Sequence, residues 1–166
     1  MKNAGRCLAA ITLILLFCAS AMALEKGAVK LASRSEVDVV VVNARGEKEV
    51  KRVDAAKAKV VPGDTVIFTN AYENVGGEAV KNAVVTNPVP EHTVYVDKTA
   101  EVKGARVEFS VDGGKIYGLA QSLMVVGADG KARPAEAADY THIRWTIEKA
   151  LAPGAKGSVS FKAKVK

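Results

Sequence analysis

Past residue 18 the chain has no cysteine. Its two cysteines, Cys7 and Cys18, both fall in the N-terminal stretch. The remainder therefore has no disulfide framework, no thiol nucleophile and no cysteine-bound metal. Histidine is almost as scarce. His92 and His142 lie 50 residues apart, which is no metal-ligand spacing. Aromatic residues make up 5% of the chain, and Trp145 is the single tryptophan. Basic and aromatic residues are not interleaved, which argues against nucleic acid as a partner. Helical periodicity is missing after residue 23, and no internal repeat is visible. No apolar run reaches the ~20 residues of a membrane-spanning helix.

The longest apolar run, residues 8–17, follows Lys2 and Arg6 and precedes Ala21-Met22-Ala23. A positive start, a short apolar stretch and a small-x-small site read as a secretory signal peptide over residues 1–23. Phe17 is too bulky for the position before a lipid-anchored cysteine. The expectation is export to the periplasm or the extracellular cell envelope, with no stable membrane span once the signal is removed. The formal charge of the whole chain is +6, and removing Lys2 and Arg6 leaves about +4. Lys48, Lys51 and Arg52 alternate with Glu47, Glu49 and Asp54, which reads either as a solvated face or as attraction to an anionic polymer or lipid headgroup.

The clearest pattern lies near the C-terminus. Ile143, Trp145 and Ile147 alternate with Arg144 and Thr146, and Val159, Phe161, Ala163 and Val165 alternate with Ser158, Ser160, Lys162 and Lys164. Period two means strands with one buried and one wet face. A turn through Leu151-Ala152-Pro153-Gly154 joins them, and the expectation is one antiparallel sheet on a core. Residues 36–43 and 48–53 read as an N-terminal hairpin preceded by an irregular stretch, 24–34. Residues 65–72 form a strand with Val66, Phe68 and Tyr72 on one face. Asn70 shares that face, and if buried its amide must find partners or destabilise the fold. Residues 79–86 read as its return strand. Pro88 and Pro90 take the chain out of that sheet, as in a crossing to a second one. Further strands are expected over 92–97, 106–111, 115–117 and 123–126, with turns at Asp112-Gly113-Gly114 and Asp129-Gly130. Residues 133–139 read as a loop. About nine short strands with turns every eight to twelve residues point to an all-β antiparallel sandwich.

Chemistry-bearing residues are few. Tyr140, His142 and Arg144 share one face of their strand, opposite Ile143 and Trp145. That row is a candidate interaction face, and reads either as an anion site or as a solvated strand face. Asp97, Asp112, Asp129 and Asp139 stand singly in or near turns, without the clustered oxygens that calcium prefers. Trp145, in an alternating apolar row, reads as core. The sequence assigns no catalytic residue, no cofactor and no metal ligand.

The order of motifs from Val61-Pro62-Gly63-Asp64-Thr65, through Tyr72-Glu73-Asn74 and Val84-Val85-Thr86-Asn87-Pro88-Val89-Pro90, to Trp145, Leu151-Ala152-Pro153-Gly154 and the last strand resembles the bacterial conserved-repeat domain of unknown function (the DUF11 family) in a single-copy secreted form. The resemblance covers most of residues 60–166. It implies an immunoglobulin-like sandwich in an exported envelope protein and supplies no catalytic or binding residues. The resulting division is a signal peptide (1–23), an N-terminal hairpin and linker (24–59) and a sandwich (60–166). The expected role is non-enzymatic, structural or adhesive, toward an envelope protein or polysaccharide. The alternative is a binding module for anionic envelope polysaccharide or lipid headgroups.

Overall fold

The computed structural model describes residues 28–166. The signal peptide read over residues 1–23 lies outside the described residues. Ten strands follow in order: β1 (Val29–Val42), β2 (Lys48–Asp54), β3 (Thr65–Asn74), β4 (Val84–Pro88), β5 (Thr93–Tyr95), β6 (Ala105–Ser110), β7 (Met124–Val126), β8 (Ala132–Pro134), β9 (His142–Ile147) and β10 (Lys156–Val165). Among the described residues the one helical element is a 3₁₀ turn, Ala120–Ser122. None of their helices is long and apolar enough to cross a membrane.

The chain is all-β and its paired strands are antiparallel. One sheet has five strands in the order β2-β1-β3-β10-β5, a second has three in the order β4-β9-β6, and β7 and β8 pair as a ribbon. The two larger sheets bury a common core. Trp145 and Ile143 of β9 and Phe161 of β10 are wholly buried, with Val85, Tyr95, Phe109 and Val159 around them. Contacts cross from sheet to sheet: Trp145 to Phe161 at 6.1 Å between ring centroids, and Tyr95 to Phe109 at 5.2 Å. Each large apolar side chain sealed in this way contributes about 1.5–3 kcal/mol. The Trp145 indole N–H is not stranded, because it donates to the Ala100 carbonyl at 2.8 Å.

The two C-terminal alternating strands are not neighbours in one sheet. β9 lies between β4 and β6, whereas β10 lies between β3 and β5. Their apolar rows oppose each other across the core instead of lying side by side. Residues 148–155, between them, are long enough to arch from one layer to the other. Residues 79–86 likewise do not return beside β3. Val80 forms a lone bridge to Leu151, and β4 then joins β9. The crossing read at Pro88 and Pro90 is present, since β4 and β5 belong to different sheets.

β1 begins at Val29, inside the stretch read as irregular, because residues 29–37 have β3 to pair with. Residues 115–117 form no strand; Gly118 alone bridges to Phe109. The loop read over 133–139 contains part of β8. At Gly157 the register places Tyr72 directly opposite, and its phenol ring lies over the glycine, where a Cβ would collide with it. A larger residue there forces the Tyr72 ring to move.

Candidate functional site

The inward side of β1 departs from the pattern of a core strand. Cross-strand register sets Leu31, Ser33, Ser35 and Val37 opposite Tyr72, Asn70, Phe68 and Val66 of β3. Two serines thus stand where large apolar side chains would close the interior. On the facing sheet β4 turns Val85 inward and then Asn87. These small polar residues leave a cleft of about 350 Å³ lined by Ser33, Arg34, Ser35, Asp54, Phe68, Asn70 and Asn87.

Asn70 is 3% exposed. The Ser33 hydroxyl donates to its Oδ1 at 2.6 Å. Its Nδ2 has no hydrogen-bond partner, the one buried side-chain nitrogen or oxygen so placed among the described residues. An unsatisfied buried donor costs about 1–3 kcal/mol. Phe68 stacks on Phe161 at 5.0 Å, which covers one side of its ring and leaves the other toward Ser35 and the cleft. The Asn87 amide donates to the Pro88 carbonyl at 2.9 Å.

The Tyr140, His142 and Arg144 row divides. β9 starts only at His142, so its alternation does not reach back to Tyr140. Tyr140 is buried, stacked on Phe109 at 4.4 Å. Burial, with lesser help from Asp97, pushes its phenol above the ordinary tyrosine value, so it stays neutral. Arg144 is held on the outer side of the three-stranded sheet. It donates to Glu108 at 3.0 Å and sits 4.2 Å over the Tyr117 ring, with Arg106 also near Glu108. Half-buried His142 reaches the Thr141 hydroxyl at 3.3 Å. Tyr140 and His142 help line a second cleft of about 580 Å³ at one end of the molecule, together with His92, Asp139 and Lys166. His92 holds a positive φ of 63° there, a backbone setting that a non-glycine residue adopts at some strain. Among the described residues no three His, Cys, Asp or Glu side chains are grouped to hold a metal ion.

The third candidate is the edge at β2, which has no outer neighbour among the described residues. The Asn43 N–H donates to the Glu47 carbonyl at 2.9 Å, and the Ala55 N–H to the Ser35 carbonyl at 3.0 Å. Bonded pairs in an antiparallel ladder recur at every second residue. The odd-numbered residues of β2 therefore turn their backbone groups to β1, while Lys48, Val50, Arg52 and Asp54 turn theirs outward, where the sheet ends. β1 pairs with β3 only as far as Val37, so residues 38–42 and their partners project as a two-stranded arm. Val40, Val42 and Val50 are exposed on it. Arg52 binds Asp38 through two hydrogen bonds of 2.7 and 2.9 Å, which hold the Asp38 carboxyl below the usual aspartate range.

No family model, no curated protein and no solved structure matches the chain.

Proposed function

We propose that this chain is a non-enzymatic, exported cell-envelope protein with an immunoglobulin-like β-sandwich, as its resemblance to the conserved-repeat family implies. Its role is structural or adhesive, and it captures an extended partner strand along β2. The observation that supports this is the outward row of backbone groups at Lys48, Val50, Arg52 and Asp54, on an arm that projects beyond β3. Such an edge offers main-chain hydrogen bonds to an added strand. The alternating Lys and Glu side chains around Val50 guard against indiscriminate pairing.

Val50→Pro tests the reading. Proline removes an outward N–H and leaves the bonds from residues 49 and 51 to β1 in place. A partner recovered from the envelope fraction with the wild-type chain is expected to be lost with the variant, at an unchanged thermal midpoint. Equal recovery by both chains refutes strand capture.

A second reading is favoured by the outer face of the five-stranded sheet. Lys30, Arg34, Lys156, Lys162 and Lys164 share that face with Glu36, Asp38 and Glu73. Here the partner is an anionic polysaccharide or lipid headgroup. Recovery that survives Val50→Pro but disappears at high ionic strength supports it, because exposed charge pairs are screened over about 8–10 Å at moderate salt.

A further inference from the structure

The cleft between β1, β3 and β4 has no part in strand capture and lies on the opposite side of the five-stranded sheet from the lysine-bearing face. We infer that it is a subsite for one neutral sugar ring, held by hydroxyl-to-amide hydrogen bonds and by stacking on Phe68.

Four inward-facing positions that would normally be apolar, Ser33, Ser35, Asn70 and Asn87, converge on this cleft. An apolar cavity wall carrying a few convergent polar groups is the usual make-up of a small-ligand pocket. Breaches of the inward-apolar rule tend to mark functional sites. The Asn70 amide is the second, independent observation. It is almost wholly buried, its Oδ1 is already engaged by Ser33, and its Nδ2 lacks an acceptor. That nitrogen has under 1 Å² of surface, and Asn70 is one of the residues that line the cleft. An acceptor in the cleft reaches it only when the lining gives slightly, which suits a small hydroxyl oxygen better than a phosphate or sulfate group. Phe68 shows the cleft the side not covered by Phe161, and an aromatic face with nearby amide and hydroxyl groups matches the apolar and hydroxyl-bearing sides of a pyranose. The side chains that converge from the inward positions carry no charge, and Arg34 is paired with Glu36 at 3.2 Å on the outer face, so the site favours a neutral ring. At about 350 Å³ it lies at the small end of ligand pockets, which span roughly 300–1,000 Å³.

The test is a titration of the isotopically labelled full chain with glucose and with the disaccharide of N-acetylglucosamine, followed through side-chain amide and backbone resonances. Saturable shifts are expected at the Asn70 and Asn87 side-chain amides and at Ser35, unchanged between low and high salt. Asn70→Ala removes the deep donor. Because a core change can perturb folding, Ser35→Leu is the companion variant. It fills the cleft with an apolar side chain beside Phe68 and is expected to weaken sugar binding at least tenfold while the thermal midpoint holds or rises. The inference is overturned if neither sugar shifts these resonances, if Ser35→Leu binds as the wild type does, or if inorganic phosphate produces the same shifts and salt abolishes them. Val50→Pro is expected to leave the sugar shifts intact, so this result and the strand-capture result stand or fall separately.

Discussion

Asn70 and Asn74 lie four residues apart on β3, both buried, and their amides have opposite fates. The Asn74 Nδ2 donates to the carbonyls of Glu78 at 2.7 Å and Leu151 at 2.8 Å, and its Oδ1 accepts from the Gly76 N–H at 2.9 Å. It ties the end of β3 to the arch that leads into β10. Asn74→Ala would strand two carbonyls and an N–H, and is expected to destabilise the fold by roughly 2–4 kcal/mol. Asn70→Val removes a donor that has no partner and frees only the Ser33 hydroxyl, so its effect is expected within about 1 kcal/mol of zero, or stabilising. Denaturant unfolding of the two variants measures both values, and equal losses would contradict the assignment. Asn70 was legible in the sequence, since its period-two position put an amide on an apolar face. Asn74 was not, because its partners come from Glu78 and from Leu151, 77 residues away, and no local pattern carries that information.

At the scale of elements, strand positions were legible and strand partners were not. The period-two rows over 143–147 and 159–165 fixed which side of each strand is buried. They could not say whether the two rows lie side by side or face to face, because both arrangements bury the same residues. The deciding fact is the length of the connection, with Leu151 bridged to Val80 part-way through it. The inward serines of β1 are not legible for a related reason: the stretch around Ser33 has no period-two pattern, and only pairing with β3 makes it a strand. Turn chemistry, by contrast, was local and readable. Asp112 accepts from the N–H groups of Ile116 and Lys115 at 3.0 and 3.1 Å and from the Ser110 hydroxyl at 2.7 Å. These bonds, the Ile116 N–H foremost, hold its carboxyl below the ordinary value. Asp139 is lowered chiefly by Arg133, then by the Glu136 N–H. A carboxyl lowered on folding contributes stability that is complete above its unfolded pKa, near 4 for aspartate, and lost as pH falls through the folded value. The amide resonances of Ile116 and Glu136 are therefore expected to titrate with midpoints below that of an unperturbed aspartate. Midpoints at or above it would mean that these turns are not clipped as described.

For the molecule as a whole, the uneven layers set an order of local stability. Five strands oppose three, so the core lies under β3, β10, β9, β4 and β6, and the β1–β2 arm extends beyond it. β10 is paired on both sides and carries Val159, Phe161 and Ala163 into the core, and β9 does the same with Ile143, Trp145 and Ile147. Opening either strand exposes most of the buried apolar surface, so their amides are expected to exchange only through global unfolding. Among the described residues β2 contacts the sheet through β1 alone, and none of its side chains is fully buried. Its outward N–H groups at Val50 and Arg52 face solvent, while those of Glu49 and Lys51 need only the arm to open. Native-state hydrogen exchange is therefore expected to rank β9 and β10 slowest, β1 in its residues 29–37 intermediate, and β2 fastest among the strands of the five-stranded sheet. That ranking has a functional edge. Strand capture adds a partner at the outer edge of β2, and it needs N–H groups there that face solvent before the partner arrives. Protection at Val50 and Arg52 equal to that in β10 would show that these N–H groups are already paired, and would remove the open edge that strand capture requires.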